Sequence, residues 1–210
     1  VYKRQTSDRS LPDEAYPSAM QKKDEQQVKL TFKKGELIAL NGKKDTPQNN
    51  IEALNDLASK YAIGRDIHVG DTIVGIKGRV GFEAAAALII IKAHHLLEKH
   101  TLTKWQQQHK EYLSSFYGMH LHEGQYLDPV MRDIEAYLES SQQKVSGDVL
   151  ITLKPYHFNL DGIVSKHDLM NAKFGSYGEM NKGWTAEEAK GFIKILGNQN
   201  KIYQQVNSEA

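Results

Sequence analysis

No cysteine occurs among the 210 residues, which excludes disulfides, thiolate nucleophiles and Cys-ligated zinc together. That pattern fits a reducing compartment, and a cytoplasmic location is expected. An excess of charge of either sign is also lacking: 27 Lys and Arg meet 26 Asp and Glu, leaving a net charge of +1. Nucleic acid and acidic membrane surfaces are therefore not expected as partners, because phosphate binding needs a concentrated excess of cations. Long apolar runs are missing. The longest, residues 84–91, is far short of the roughly 20 residues that cross a bilayer, and no secretory-type apolar segment is read near residue 1. A Gly-x-x-x-x-Gly-Lys-[Ser/Thr] phosphate loop is absent from these residues, as is a Ser-Gly-Gly loop of the pyrophosphatase type.

With 40% hydrophobic and 25% charged residues, the chain has the composition of an ordinary globular domain. Residues 1–26 are polar, charge-mixed and nearly free of aliphatic side chains, so a disordered tail or an interdomain linker is expected there. Alternation begins at Val28, Leu30 and Phe32, the pattern of a half-buried strand, and Lys34-Gly35 turns it into a second strand over 36–40. Ile51, Leu54, Leu57, Ala58 and Tyr61 share one helical face, and Gly64 ends that helix.

Gly70-Asp71 is read as the turn of a hairpin joining short strands over 66–69 and 72–77. An Ala-rich helix is predicted over 82–99, apolar almost all round and therefore central and covered. A further amphipathic helix carrying Trp105, His109, Tyr112, Leu113 and Phe116 is predicted to end at Gly118. Asp128-Pro129 has the form of an N-cap followed by Pro at the first helical position, opening a helix with Met131 and Ile134 inward. Alternation over 149–153 and 158–160 gives a second hairpin region. Thr185 to Glu188 reads as a capping box before a short helix. The expected fold class is α+β, a mixed sheet with packed helices and a C-terminal helical extension.

Few residues declare chemistry on their own. The spacing of Gly70, Gly75, Gly78 and Gly81 does not suit a dinucleotide turn, and strand turns explain these glycines better. His120, His122 and Glu123 would place two imidazoles on one side of an extended segment, as a metal site needs. No third ligand is placed, so a solvated loop is the simpler reading and no metal site is expected. His94 and His95 are neighbours on a helix and point in different directions, which suits a hydrogen-bonded structural histidine. Lys77 and Arg79, two residues apart on a strand, project to one face where they could hold carboxylates or phosphate.

The order and spacing of several of these residues carry a resemblance. Gly64, Arg65, Asp66 and Val69, then Gly75, Ile76, Lys77, Gly78, Arg79, Phe82 and Glu83, followed by an Ala-rich helix, resemble the first half of the C-terminal domain of argininosuccinate synthase. The segments 28–41 (VKLTFKKGELIALN), 55–64, 141–153 (SQQKVSGDVLITL) and 184–193 (WTAEEAKGFI) resemble further stretches of it. The likeness thus runs over roughly 27–205, and 27–210 is expected to be one domain of this kind. Residues 1–5 match nothing in the family.

This resemblance implies an ATP-dependent ligase of arginine biosynthesis and the urea cycle. It condenses citrulline with aspartate and releases AMP and pyrophosphate. It also implies that ATP and Mg²⁺ are bound by a separate N-terminal domain, that this chain alone is inactive, and that the C-terminal domain helps build a homotetramer. Gly70, Asp71, Lys77, Arg79 and Phe82 are then expected to line the substrate cleft, with none in a proton-transfer role. At Gly70 the family has a Glu that touches citrulline, and at Phe82 a Tyr. Three explanations of those changes compete: a shifted turn lets Asp71 take over, the enzyme has diverged in activity, or the substrate is a citrulline with an N-acylated α-amino group. A different class of function, a stand-alone oligomerisation or interaction module, would use the stripe of Ile202, Tyr203 and Val206.

Overall fold

The computed structural model describes residues 9–171 and 183–208, so the expectation for residues 1–5 lies outside the described residues. The chain divides into two units, Val1–Leu169 and Met170–Ala210. In the first, β1 (Gln26–Lys33) and β2 (Glu36–Leu40) form the hairpin that the alternation announces, with Val28, Leu30, Phe32, Leu37 and Ala39 buried. A short β3 (Lys43–Lys44) extends that edge. On the other side β1 pairs with β6 (Gly147–Lys154), which pairs in turn with β7 (His157–Val164).

The resulting five-stranded sheet has the order β3-β2-β1-β6-β7. The α+β class holds, and among the described residues every strand pairing is antiparallel, where a mixed sheet was expected. The long excursion between β2 and β6 returns the chain beside β1 in the opposite sense, so the helices of that excursion do not serve as a parallel crossover.

Two helices supply the other wall of the core. Thr46 caps α1 (Pro47–Ala58) through its side chain, and Leu54 and Ala58 are buried. The Ala-rich segment forms α2 (Ala85–Thr101), which buries Ala86, Ile89, Ala93 and Leu97 against β1 and β6. It starts three residues later than expected because Phe82 and Glu83 are paired in a strand. Nor is it covered all round, since Ile91 is 64% and Leu88 38% exposed.

Beyond α2 lie α3 (Lys104–His122) and α4 (Pro129–Gln142). The helix α3 does not stop at Gly118, since its hydrogen bonding continues to His122. The last turn therefore replaces the expected loop, and His120 and His122 stand on different sides of a helix. Asp128 caps α4, accepting from Val130 N at 2.9 Å, and Met131 and Ile134 are buried.

A buried polar knot joins these three helices. Glu98, 2% exposed, accepts from Lys110 Nζ at 2.8 Å and from Gln142 Nε2 at 2.8 Å, with His94 Nδ1 3.6 Å away. The His94 ring also meets Phe32 edge-on. Its pKa is lowered from the ordinary 6.5, first because burial disfavours the imidazolium, with Glu98 working in the opposite direction.

The second unit carries α5 (Ala186–Leu196), opened by the expected capping box between Thr185 and Glu188, and α6 (Asn198–Ser208). The described residues of this unit leave Phe192, Ile193, Ile195, Leu196, Ile202, Tyr203 and Val206 exposed. Among the described residues, no helix is long and apolar enough to cross a membrane.

Candidate functional site

Two strands stand apart from the main sheet, β4 (Arg65–Asp71) and β5 (Lys77–Glu83), paired antiparallel with each other. The turn between them is residues 72–76, not Gly70-Asp71. Thr72 N donates to Ile76 O at 3.1 Å, Gly75 N donates to Thr72 O at 2.8 Å, and the Thr72 hydroxyl donates to Ile76 O at 2.8 Å. Gly75, at φ +78, supplies the left-handed residue that the turn requires. Ile73, Val74 and Ile76, which look like strand residues, sit at an exposed tip.

The register decides which side chains share a face, because residues directly opposite in an antiparallel pair point the same way. Asp71 lies opposite Lys77, Val69 opposite Arg79, Ile67 opposite Gly81 and Arg65 opposite Glu83. The other face carries His68 opposite Val80, Gly70 opposite Gly78, and Asp66 opposite Phe82. The five residues singled out from the sequence are therefore distributed over both faces. Asp71, Lys77 and Arg79 are together on one, with Lys77 Nζ 2.7 Å from Asp71 Oδ1. Gly70 and Phe82 are together on the other.

The first of these faces is covered by residues 9–18. Arg79 Nη2 donates to Arg9 O at 2.5 Å. Leu11 fills the space that a Cβ on Gly81 would need. Arg65 is bonded to Glu83 at 3.2 Å, to Asp13 at 3.4 Å and to the Ser18 carbonyl, and it lies 4.8 Å from the centre of the Tyr16 ring.

On the Gly70 side, the hairpin and the C-terminal turns of α3 enclose a concavity of about 520 Å³. His68, Gly70, Asp71, Gly78 and Val80 form one wall and Gly118, Met119 and His122 the other. Its floor is open because nothing lies within 4 Å of where a Cβ would stand on Gly78 or Gly118. Phe82 is 39% exposed further along the same hairpin face. The sequence gives no sign of His68 or Met119, and it reads His122 as part of a solvated loop and Gly118 as a helix end rather than as parts of a cleft. A glycine inside a helix, Gly118, was the one available signal, because it costs about 1 kcal/mol against alanine and calls for a local reason.

The cleft can bind and orient a small polar molecule. Two imidazoles stand over an apolar floor, and the Asp71–Lys77 pair at its rim is two-thirds exposed. Such a pair holds itself together by no more than about 1 kcal/mol, so either charge can turn to a ligand. Among the described residues, no group of three or more His, Cys, Asp or Glu is placed to hold a metal ion. A second concavity of about 480 Å³ lies on the outer face of the main sheet, beside Lys29, Thr152 and Asp161. There the Thr152 hydroxyl already donates to Asp161 at 2.6 Å and Lys29 Nζ lies 3.3 Å from Asp148, as on a solvated sheet face.

Comparison with known proteins bears on this geometry. Residues 9–203 match the family described as the Arginosuccinate synthase C-terminal domain. The argininosuccinate synthase of Xanthomonas campestris pv. campestris is 39% identical over 180 residues, which are 86% of this chain and 45% of that protein. The argininosuccinate synthase of Dictyoglomus turgidum is 35% identical over 193 residues, 91% of this chain and 48% of its own length. That of Methanocaldococcus jannaschii is 31% identical over 196 residues, 92% and 49% respectively. The chain spans about half the length of the curated relatives it matches.

Proposed function

Since the chain belongs to the argininosuccinate synthase family through that family's C-terminal domain, we propose that it supplies the C-terminal half of an ATP-dependent carbon–nitrogen ligase. The reaction joins citrulline, or an N-acylated citrulline, to aspartate and releases AMP and pyrophosphate, in cytoplasmic arginine biosynthesis. Residues 27–210 act as the domain, and 1–26 as a linker leading into it. The observation that carries this reading is the family match over 9–203, which includes the β4–β5 hairpin.

Of the residues expected to bind, Gly70 and Phe82 act from the cleft face of the hairpin and Asp71 and Lys77 stand at its rim, while Arg79, on the face that residues 9–18 cover, bears on the site only by holding the hairpin. Phe82 supplies an aromatic wall beside the ureido group. Lys77, exposed at the rim, is the cation that a substrate carboxylate can engage. The start of α2 offers no cradle for the phosphates of Mg²⁺-ATP. The N-terminus of α2, which follows a strand, is closed by Gly64, since a Cβ there would lie 2.6 Å from Ala85 N. Our reading assigns the nucleotide and its metal to the other half of the ligase, so that this chain alone is expected to be inactive. Assembly into a homotetramer would cover the exposed apolar residues of α5 and α6. The same residues support the second reading, an oligomerisation module without catalysis.

The choice of ureido substrate rests on Gly70. It offers no carboxylate to an α-ammonium, and Asp71 projects from the opposite face of β4. An N-acylated substrate needs no such partner, which favours it over free citrulline. Gly70→Glu and Phe82→Tyr, placed in the ligase that carries this chain, test the assignment. Restoring one charge-assisted contact, about 1.5–3 kcal/mol, should move kcat/KM toward free citrulline by about 10- to 100-fold. His68 must swing aside to admit the larger side chain of Gly70→Glu, since its ring lies over Gly70. Equal use of both substrates by the parent, unchanged by either substitution, would contradict the N-acyl reading.

A further inference from the structure

The β4–β5 hairpin is a two-stranded sheet with no strand pairing to the main sheet, and a pair of strands alone is marginal in water. Something must hold it. Its Gly70 face borders the cleft, and its other face is covered by residues 9–18. The contacts on that face converge on Arg65, whose side chain is only 11% exposed. Its Nε meets Glu83, itself 5% exposed, across the two strands. Its remaining nitrogens reach Asp13 and the Ser18 carbonyl, and its plane lies over Tyr16.

One guanidinium therefore joins β4, β5 and the incoming chain. A lysine ammonium, a single point charge, has neither the fork nor the flat face to do so. The incoming chain is anchored again past the strap, where Gln21 N and Lys22 N both donate to Lys60 O, at 2.8 and 3.0 Å. It is thus tied down on either side of Ser18.

We infer that residues 9–18 are a strap that Arg65 holds against the hairpin, and that Arg65 is a positioning residue fixing the hairpin wall of the substrate cleft. The second half rests on the reading of that wall as the ureido-substrate site; the first half does not. Glu83 follows Phe82 directly, so the Arg65–Glu83 bond sets where the aromatic wall begins. Because the strap includes residues assigned to the linker, it also ties the linker to one side of the cleft. Loosening it should impair binding of the ureido substrate while leaving ATP binding alone.

Hydrogen exchange of the 210-residue chain, read peptide by peptide, tests the strap. Arg65→Lys keeps the charge, and Tyr16→Ala leaves the hairpin sequence untouched should Arg65→Lys fold poorly. Each should speed exchange over 65–71 and 77–83 about tenfold, the cost of roughly one lost charge-assisted contact, with β1 and β6 unchanged. Less than about a twofold change in the hairpin with both variants would overturn the strap. In the ligase that carries this chain, the same variants should raise KM for the ureido substrate about tenfold, with kcat and KM for ATP within about twofold. Faster exchange with an unchanged KM would overturn the positioning role and the substrate-wall reading, while leaving the strap in place.

Discussion

Replacing Gly64 with alanine is expected to lower the unfolding free energy by about 3 kcal/mol or more, summing left-handed strain of about 1–3 kcal/mol and a backbone collision. Gly64 stands at φ +82, between the buried Tyr61, Ala62 and Ile63 and the start of β4. A Cβ there would lie 2.6 Å from Ala84 C, 2.6 Å from Ala85 N and 2.7 Å from Ala85 Cα. All three are main-chain atoms, so no side chain can swing away. The first turn of α2 has to move, and with it the Glu83 end of the hairpin. Gly42 provides the control, because it has the same φ of +82 with nothing within 4 Å of its Cβ position. Gly42→Ala should cost only about 1–2 kcal/mol, the conformational part. Denaturant midpoints of the two variants separate the contributions, and equal losses would show that the close approach of Gly64 to α2 does not matter.

The second large effect is expected at Glu98. Its carboxylate is buried between Lys110, Gln142 and His94, and α3, which has no buried residue of its own, is tied to α2 through it. Glu98→Ala should cost about 3 kcal/mol, because breaking one side of a buried pair leaves its partners uncompensated. Lys110→Ala should cost at least as much, since it strands a carboxylate only 3% exposed with Gln142 as its remaining donor, whereas Lys110 itself is 22% exposed and can reach water. The double replacement Glu98→Leu with Lys110→Met should recover much of the loss.

His94 gives the same knot a pH signature. Its folded pKa lies below the unfolded 6.5, so its stabilising contribution is complete above that value and is lost as pH falls. The unfolding free energy should therefore decline as pH falls below about 6.5, and His94→Asn should flatten that decline relative to the parent. An identical slope in parent and variant would remove His94 from the account.

Much of the fold was legible because local chemistry and tertiary need agreed. The alternation of Val28, Leu30 and Phe32, the Asp128-Pro129 cap and the Thr185–Glu188 capping box all appear where the residues place them. The hairpin turn was not legible. Gly70-Asp71 is a good turn dipeptide, and Ile73, Val74 and Ile76 look like strand residues, yet Gly75 and the Thr72 hydroxyl close the turn further on. That shift changes the register, and register alone decides which face a strand residue joins. The spacing of Lys77 and Arg79 was enough to put them on one face, while the placement of Gly70 and Phe82 on the other follows only from the true pairing. The share of the cleft that α3 provides was hidden for a different reason. A glycine inside a helix and histidines in its last turn resemble a helix end followed by a loop.

The measurement that bears most directly on the functional account is product formation by the proposed ligase, with this chain as its C-terminal half, followed with labelled aspartate in the presence of Mg²⁺-ATP. The account predicts equimolar AMP and pyrophosphate, and incorporation of aspartate, only when citrulline or an N-acylated citrulline is supplied. Gly118→Leu, which would fill the cleft floor, should suppress that incorporation. Release of AMP without any ureido substrate, or no aspartate incorporation with either one, would contradict it.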